Sequence, residues 1–330
     1  MTKLIIQIPC YNEEQTLSLT LSQLPKKIDN ISEIQTLVID DGSNDNTLKV
    51  AQQCDVDHIV NLPKHSGLAA AFMAGIDHAL AAGADIIVNT DADNQYNADD
   101  ISKLLVPLLN GTADIVVGSR PIEEIKHFSP AKKALQRLGS WVVRWASGTN
   151  VPDAPSGFRA ISREAGLRLN VFNNHTYTLE TLIQAGHKGI SVSSVPIRVN
   201  DNLRPSRLIT SNTSYILRSI TTIVRIFMLY SPLRFFALLG SIPIFLGLLL
   251  SIRWVVNVFV FAEPGRTYIP SLILVAILLL AGVQIWVLGL IADLMAANRS
   301  LLEEIRLRMR RIELVKRENI IAETMENLEE

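Results

Sequence analysis

The residues best suited to chemistry are two aspartates separated by one residue, Asp91 and Asp93, just beyond the apolar run Ile86-Ile87-Val88. Carboxylates this close repel one another unless a cation neutralises them. Mg2+ or Mn2+ accepts one or two carboxylates and fills its remaining positions with water and substrate phosphate oxygens. Gln95 offers a neutral oxygen to the same ion. The chemistry this suggests is charge neutralisation of a diphosphate leaving group. Taken alone, such a pair also fits a solvated acidic loop, so its meaning depends on what stands beside it.

Two other polar clusters follow apolar runs. Pro9-Cys10-Tyr11-Asn12-Glu13 comes after Leu4–Ile8, and Asp40-Asp41-Gly42-Ser43 comes after Thr36–Ile39. A strand-end aspartate such as Asp40 or Asp41 can accept hydrogen bonds from a base or ribose, and Gly42 permits a tight turn near a ligand. Arg120 ends Val116-Val117-Gly118-Ser119, while Arg198 and Arg204 follow Val195-Pro196-Ile197. Planar guanidinium groups suit a phosphate monoester, although each of these arginines taken singly also fits a solvated surface charge. Asp153, ahead of Pro155, is a candidate base, an orienting group for an acceptor, or a turn cap. Cys10 and Cys54 form neither a metal-ligand pattern nor a disulfide framework.

These residues need elements to hold them. Strand-like runs at Leu4–Ile8, Thr36–Ile39, His58–Asn61, Asp85–Asn89 and Asp114–Val117 alternate with helical spacing over Thr16–Leu24, Leu68–Ala81 and Ile101–Leu109. Apolar strands alternating with helices predict an α/β fold with a mostly parallel sheet covered on both faces. Ligands gather at the C-terminal ends of such strands. The loops opening at Pro9, Asp40 and Asp91 are therefore expected on one rim.

The second part of the chain differs in kind. Phe235–Phe261 is almost wholly apolar apart from Arg253, and Tyr268–Ala292 is apolar throughout. Each is long enough to cross a hydrocarbon core of about 30 Å as a helix. A buried core helix would keep a polar face, and these do not. Arginines at 204, 207, 218, 225 and 234 precede this hairpin, and others at 299, 306, 308, 310 and 311 follow it. The positive-inside tendency then predicts both ends on the cytoplasmic side of an inner, cytoplasmic membrane. Met1-Thr2-Lys3 runs straight into Leu4–Ile8, too short for a signal-peptide core, which agrees with a cytoplasmic N-terminal part. The segment 212–233 interleaves isoleucines with Arg218 and Arg225, as a membrane-surface amphipathic helix or a helix packed on the first domain would. Leu302, Ile305, Met309 and Ile312 are spaced like a short coiled-coil seam, which suits a homo-oligomer but equally a solvated helix. The expected divisions are 1–205, 206–234, 235–292 and 293–330. A formal net charge of −1 gives no basic field for nucleic acid.

Pro-x-Tyr-Asn-Glu, then Asp-Asp-Gly-Ser, then Asp-Ala-Asp-x-Gln, at these spacings, resembles the family 2 glycosyltransferases, inverting enzymes of GT-A fold. The resemblance implies a Rossmann-like catalytic domain ahead of the two-span hairpin. It implies that Pro9, Tyr11, Glu13 and Asp41 line a nucleotide pocket, and that Asp91, Asp93 and Gln95 hold the metal and diphosphate. Gly67, in Lys64-His65-Ser66-Gly67, matches the glycine beside the nucleotide, with His65 where asparagine is more usual. Asp153-Ala154-Pro155-Ser156-Gly157-Phe158-Arg159 resembles the segment of the subgroup that glycosylates polyprenyl phosphates, which brings Asp153 and Arg159 into the expected site. The implied donor is a nucleotide sugar and the implied acceptor a polyprenyl phosphate; another membrane lipid hydroxyl or a saccharide is the alternative. Processive relatives carry Gln-x-x-Arg-Trp, whereas Trp141 stands at the first position before Arg144-Trp145. A single transfer to a lipid is expected, with Asp93, Asp153 and Arg120 nearest the chemistry.

Overall fold

A computed structural model describes residues 2–121, 130–171, 177–200, 221, 224–225, 227–261 and 268–329. Seven strands form one sheet in the order β3-β2-β1-β4-β6-β5-β7. The strands are β1 (Lys3–Cys10), β2 (Glu33–Asp40), β3 (His58–Asn61), β4 (Ile86–Asn89), β5 (Ile115–Ser119), β6 (Arg159–Ser162) and β7 (Val192–Pro196). All neighbours are parallel except β6, which runs antiparallel between β4 and β5. This is the mostly parallel α/β sheet expected, with one reversed strand that the apolar runs had not marked.

The sheet forms where it does because β1 has no polar face. Leu4, Ile5, Ile6 and Ile8 are fully buried, and burying each contributes roughly 1.5–3 kcal/mol. Such a strand requires cover on both sides. Helix α3 (Leu68–Ala81) packs on β1 and β2, and α4 (Ile101–Leu109) packs on β5 and β6. Gly75 brings α3 close, since a Cβ there would lie 2.4 Å from Gln7 Oε1 and 2.8 Å from Ile39. Shorter helices α1 (Leu17–Ser22) and α2 (Thr47–Gln53) follow the first two strands. Helices α5 (Pro130–Ser147), α6 (Arg163–Arg168) and α7 (Thr178–His187) complete the α/β unit.

Two further helices follow: α8 (Pro232–Val256), ending in a π-turn at Asn257–Phe261, and α9 (Ile269–Glu329). The spans Pro232–Val260 and Ile269–Lys316 have mean hydropathies of 2.4 and 2.6, and only 11% of each apolar window is buried. They are long and apolar enough to cross a membrane, and their exposed apolar surface is unlike that of a soluble core helix. They meet at glycines: a Cβ on Gly240 would lie 2.9 Å from Gly282 O, and one on Gly282 would lie 2.4 Å from Ile244. Small residues that let helix backbones approach are the usual packing device in lipid.

The chain divides into two compact units, Met1–Ser219 with Ile305–Glu330, and Ile220–Glu304. Within the first, the end of α9 is latched to helices α3 and α6 and the residue after α6. Arg310 donates to the carbonyls of Leu167 and Leu169 and to Asp77 Oδ1 at 2.7 Å, and Arg311 pairs with Glu164 at 2.5 Å. Most of the segment 212–233 read as an amphipathic helix lies outside the described residues, as does Arg204.

Candidate functional site

The register fixes the site. Cys10 is opposite Asp40, so β1 and β2 end together; Gln7 is opposite Asn89, so β4 ends three residues earlier on the same edge of the sheet. The three acidic loops emerge on one rim, as their positions predicted. The first two loops are tied to each other: Asn12 N donates to Ser43 Oγ at 2.9 Å, Asn44 N to Asn12 Oδ1 at 2.8 Å, and Glu13 N to Thr47 Oγ1 at 2.7 Å. Asn12 and Asn94 both take the left-handed conformation, with φ of 56°, which asparagine tolerates better than most residues.

The rim is strongly acidic. The buried Cys10 thiol is pushed well up, first by burial and then by the charges of Glu13, Asp40, Asp45 and Asp91. Asp91 is pushed up to about 7, by burial and by the neighbouring Asp93 charge, with Arg120 and Tyr96 acting against the rise. Two carboxylates that cannot comfortably both ionise are what a divalent cation would relieve. Mg2+ or Mn2+ needs only one or two carboxylates and keeps positions for phosphate oxygens. Asp91, Asp93 and Gln95 are the residues that would hold the ion. Asp93 Oδ1 also accepts from Gln95 N at 3.1 Å, shaping the turn.

The loop 153–158 faces this pair. Gly157 approaches Asp91 so closely that a Cβ would sit 3.0 Å from Asp91 Oδ1 and 2.9 Å from Tyr177 Oη. Its backbone is held from beneath: Gly157 N donates to Tyr96 Oη at 3.1 Å, and Asn89 Nδ2 donates to Gly157 O at 2.9 Å. Tyr177 stacks on Phe72 and Tyr96 on Phe158, which fixes both phenols.

Of the expected arginines, Arg120 and Arg159 are buried, whereas Arg198 is half-exposed. Arg120 and Asp153 form a buried fork, with Nε to Oδ2 at 2.7 Å and Nη2 to Oδ1 at 3.0 Å. Burial alone would lower the Arg120 guanidinium, but Tyr96, Asp153 and Asp91 outweigh it and its pKa is raised. Arg159 is only 1% exposed. It donates to the carbonyls of Ser156 and Ala154 and to Thr181 Oγ1, so it braces the loop from behind. Arg198 forks onto Asp100, with Nη2 to Oδ1 at 2.8 Å. Its backbone also donates to Asp100 Oδ2 at 2.6 Å. The strand of chain around it runs along the acid-pair loop, where Asn200 N donates to Gln95 O at 2.9 Å.

In the first loop, Pro9 is buried within β1, and the Glu13 carbonyl receives Thr16 N and Leu17 N to start α1. Asp40 is buried and accepts Ser43 N at 3.2 Å. Asp41, also buried, receives Ser66 N at 2.7 Å, Gly67 N at 2.8 Å and His65 Nδ1 at 2.8 Å. Gly67 starts α3 at φ 95°. Tyr11 stacks on His65 with ring centroids 3.8 Å apart. Sequence reasoning had no role for Asn89, Tyr96, Tyr177 or Asp100, whose partners are distant in the chain. His65 was visible only as an unusual residue in its turn.

The glycosyl transferase family 2 model matches residues 5–169. UDP-N-acetylglucosamine–dolichyl-phosphate N-acetylglucosaminyltransferase of Methanococcus voltae is 32% identical over 215 residues, covering 58% of this chain and 83% of that one. Polyprenol monophosphomannose synthase of Mycolicibacterium smegmatis is 28% identical over 220 residues, covering 63% and 82%. Among solved structures, glucosyl-3-phosphoglycerate synthase of Mycobacterium tuberculosis with Mn2+, UDP and glucosyl-3-phosphoglycerate aligns with a TM-score of 0.51 and 21% identity, covering 67% and 80%. At that identity the likeness concerns the fold.

Proposed function

This chain belongs to glycosyl transferase family 2, and from that premise we propose that it transfers a hexose from a nucleoside diphosphate sugar to a membrane polyprenyl phosphate, with inversion at the anomeric carbon. The observation that carries this reading is the Asp91–Asp93 pair on the rim where β1, β2 and β4 end, in a chain whose relatives are named for dolichyl-phosphate and polyprenol transfer. The Methanococcus name contains a UDP-sugar and supports that donor class.

The donor diphosphate would lie against Asp91, Asp93 and Gln95, and its nucleoside against Pro9, Tyr11, Glu13 and the Asp40–Asp41 loop. Mg2+ or Mn2+, when bound, supplies charge neutralisation for the departing diphosphate. The chain's own contribution is positioning: Gly157 leaves the acid pair uncovered, and Tyr96, Asn89 and Arg159 fix the loop on which it sits. An acceptor phosphate is already ionised near neutral pH and needs no strong base. The commitment of both Asp153 oxygens to Arg120 favours that acceptor over a neutral hydroxyl, which would require a free base. Arg120, Arg198 and Arg204 were expected to hold the acceptor phosphate. In this reading Arg120 and Arg198 instead shape the pocket floor and the acid-pair loop.

The two apolar helices would anchor the enzyme in the cytoplasmic membrane, with the catalytic unit and tail on the cytoplasmic side. The seam at Leu302, Ile305, Met309 and Ile312 supports a homo-oligomer. A donor panel of UDP- and GDP-hexoses, offered with short-chain polyprenyl phosphate and Mg2+ or Mn2+, tests the reading by lipid mass spectrometry. One donor should yield a lipid heavier by one hexose unit; no glycolipid from any donor would sink it.

A further inference from the structure

The Asp41 carboxylate is the expected direct contact for the nucleoside, yet its surroundings give it another task. Its Oδ1 receives Ser66 N at 2.7 Å, and its Oδ2 receives Gly67 N at 2.8 Å and His65 Nδ1 at 2.8 Å. The residue is 2% exposed. A carboxylate this occupied has little left to offer a ligand. The same loop presses on Gly42, where a Cβ would fall 2.6 Å from His65 N. Both contacts fix the backbone that carries His65.

The imidazole itself is placed for recognition. Its side chain is 51% exposed although its Nδ1 is anchored to a buried group. The carboxylate accepts from Nδ1, so in the neutral imidazole Nε2, across the ring, is the acceptor nitrogen. Tyr11 covers one face of the ring, with centroids 3.8 Å apart and planes 26° from parallel. Tyr11 is itself 37% exposed. The pair is thus an open aromatic shelf with one hydrogen-bond acceptor at its edge.

We propose that His65 is the base-selecting residue of the donor site: positioned by Asp41, it accepts through Nε2 the ring N–H of a uracil or guanine lying edge to edge with it beside Tyr11. This rests on the nucleotide-sugar reading above. Uracil and guanine carry a lactam N–H on that edge, whereas cytosine presents a bare ring nitrogen there. Acceptor facing acceptor is unfavourable, so cytidine nucleotides are rejected. The site selects a chemical class, bases with a lactam N–H.

The test is calorimetric binding of UDP, GDP and CDP, each with Mn2+, to the full-length protein in detergent, wild type beside His65→Phe. Phenylalanine keeps a ring on Tyr11 and removes the Nε2 acceptor together with the Nδ1 donor to Asp41. His65→Ala, which removes both ring and acceptor, is the second variant, and thermal melting reports whether each folds. Wild type is expected to bind UDP or GDP at least tenfold more tightly than CDP. Both variants should weaken the preferred nucleotide about tenfold, the size of one hydrogen bond, while leaving CDP within about twofold. Equal weakening of all three nucleotides, no change in either variant, or a wild type that binds CDP as well as UDP and GDP overturns this inference alone. A wild type that binds none of the three overturns the nucleotide-sugar reading together with it.

Discussion

Asp91 is the residue on which the site's electrostatics turn. Its carboxyl, pushed up to about 7 by burial and by Asp93, holds a proton near neutral pH when no cation is present. A model-peptide aspartate titrates near 3.9. Between those values the folded state binds more protons than the unfolded one, so the metal-free protein loses stability as pH rises through that window. A divalent cation must displace this proton. Mn2+ affinity is therefore expected to fall as pH drops below about 7. Binding heats at pH 6.5 should also depend on the ionisation enthalpy of the buffer, and those at pH 8.5 should not. The charges around the group, Asp93, Glu13 and Arg120, are all part of that balance. Asp153 makes a different prediction. Removing its charge strands the Arg120 guanidinium in the interior, a loss of about 3–5 kcal/mol for a buried pair. Asp153→Asn should melt well below wild type yet retain measurable turnover with a phosphate acceptor. Complete loss of turnover in a folded Asp153→Asn protein would favour a hydroxyl acceptor.

At the scale of elements, the first half of the sheet was legible because β1, β2, β3 and β4 are apolar runs ended by polar loops. β3 falls at the run marked for it, His58–Asn61, and β2 extends the run at Thr36–Ile39 to Glu33–Asp40 because β1 pairs along its whole length. β6 escaped because Arg159-Ala160-Ile161-Ser162 is short, starts with a charge and follows a turn-like Pro-Ser-Gly. Its identity as a strand comes from pairing with β4 and β5, which no local pattern encodes. The same holds for the Arg120–Asp153 fork and for the Arg198–Asp100 brace, which join residues 33 and 98 positions apart. The acid pair, by contrast, was legible because only Ala92 separates its two carboxylates in sequence. Two predictions belong here. Gly157→Ala places a methyl against Asp91 and Tyr177; turnover should fall more than tenfold while circular dichroism stays unchanged. The Asp100 carboxyl, although burial opposes it, is held below the usual range by Arg198 and Lys103. A depressed group stabilises above the unfolded value and loses that contribution as pH falls through its folded value. Asp100→Asn should lower the melting temperature at pH 7 and narrow its gap from wild type in acid.

At the scale of the whole molecule, composition alone separates a polar α/β part from an apolar helical part, while the compact units are Met1–Ser219 with Ile305–Glu330, and Ile220–Glu304. What composition could not reveal is that the charged end of α9 returns to the catalytic unit through Arg310 and Arg311. An arginine side chain looks the same in sequence whether it is solvated or capping helix carbonyls. Arg310→Ala removes donors to Leu167, Leu169 and Asp77 at once, a loss of about 1–3 kcal/mol. Hydrogen exchange across 305–316 should then accelerate, with donor binding unchanged. The central claim is that the acid pair serves transfer to a lipid phosphate. It is met most directly by offering the protein one vesicle preparation that contains both polyprenyl phosphate and free polyprenol, with its preferred donor and Mn2+. Mass spectrometry should find one hexose on the phosphate lipid and none on the alcohol, with the product abolished in Asp91→Asn and Asp93→Asn. Hexose on the free alcohol, or undiminished product from either variant, would contradict the account.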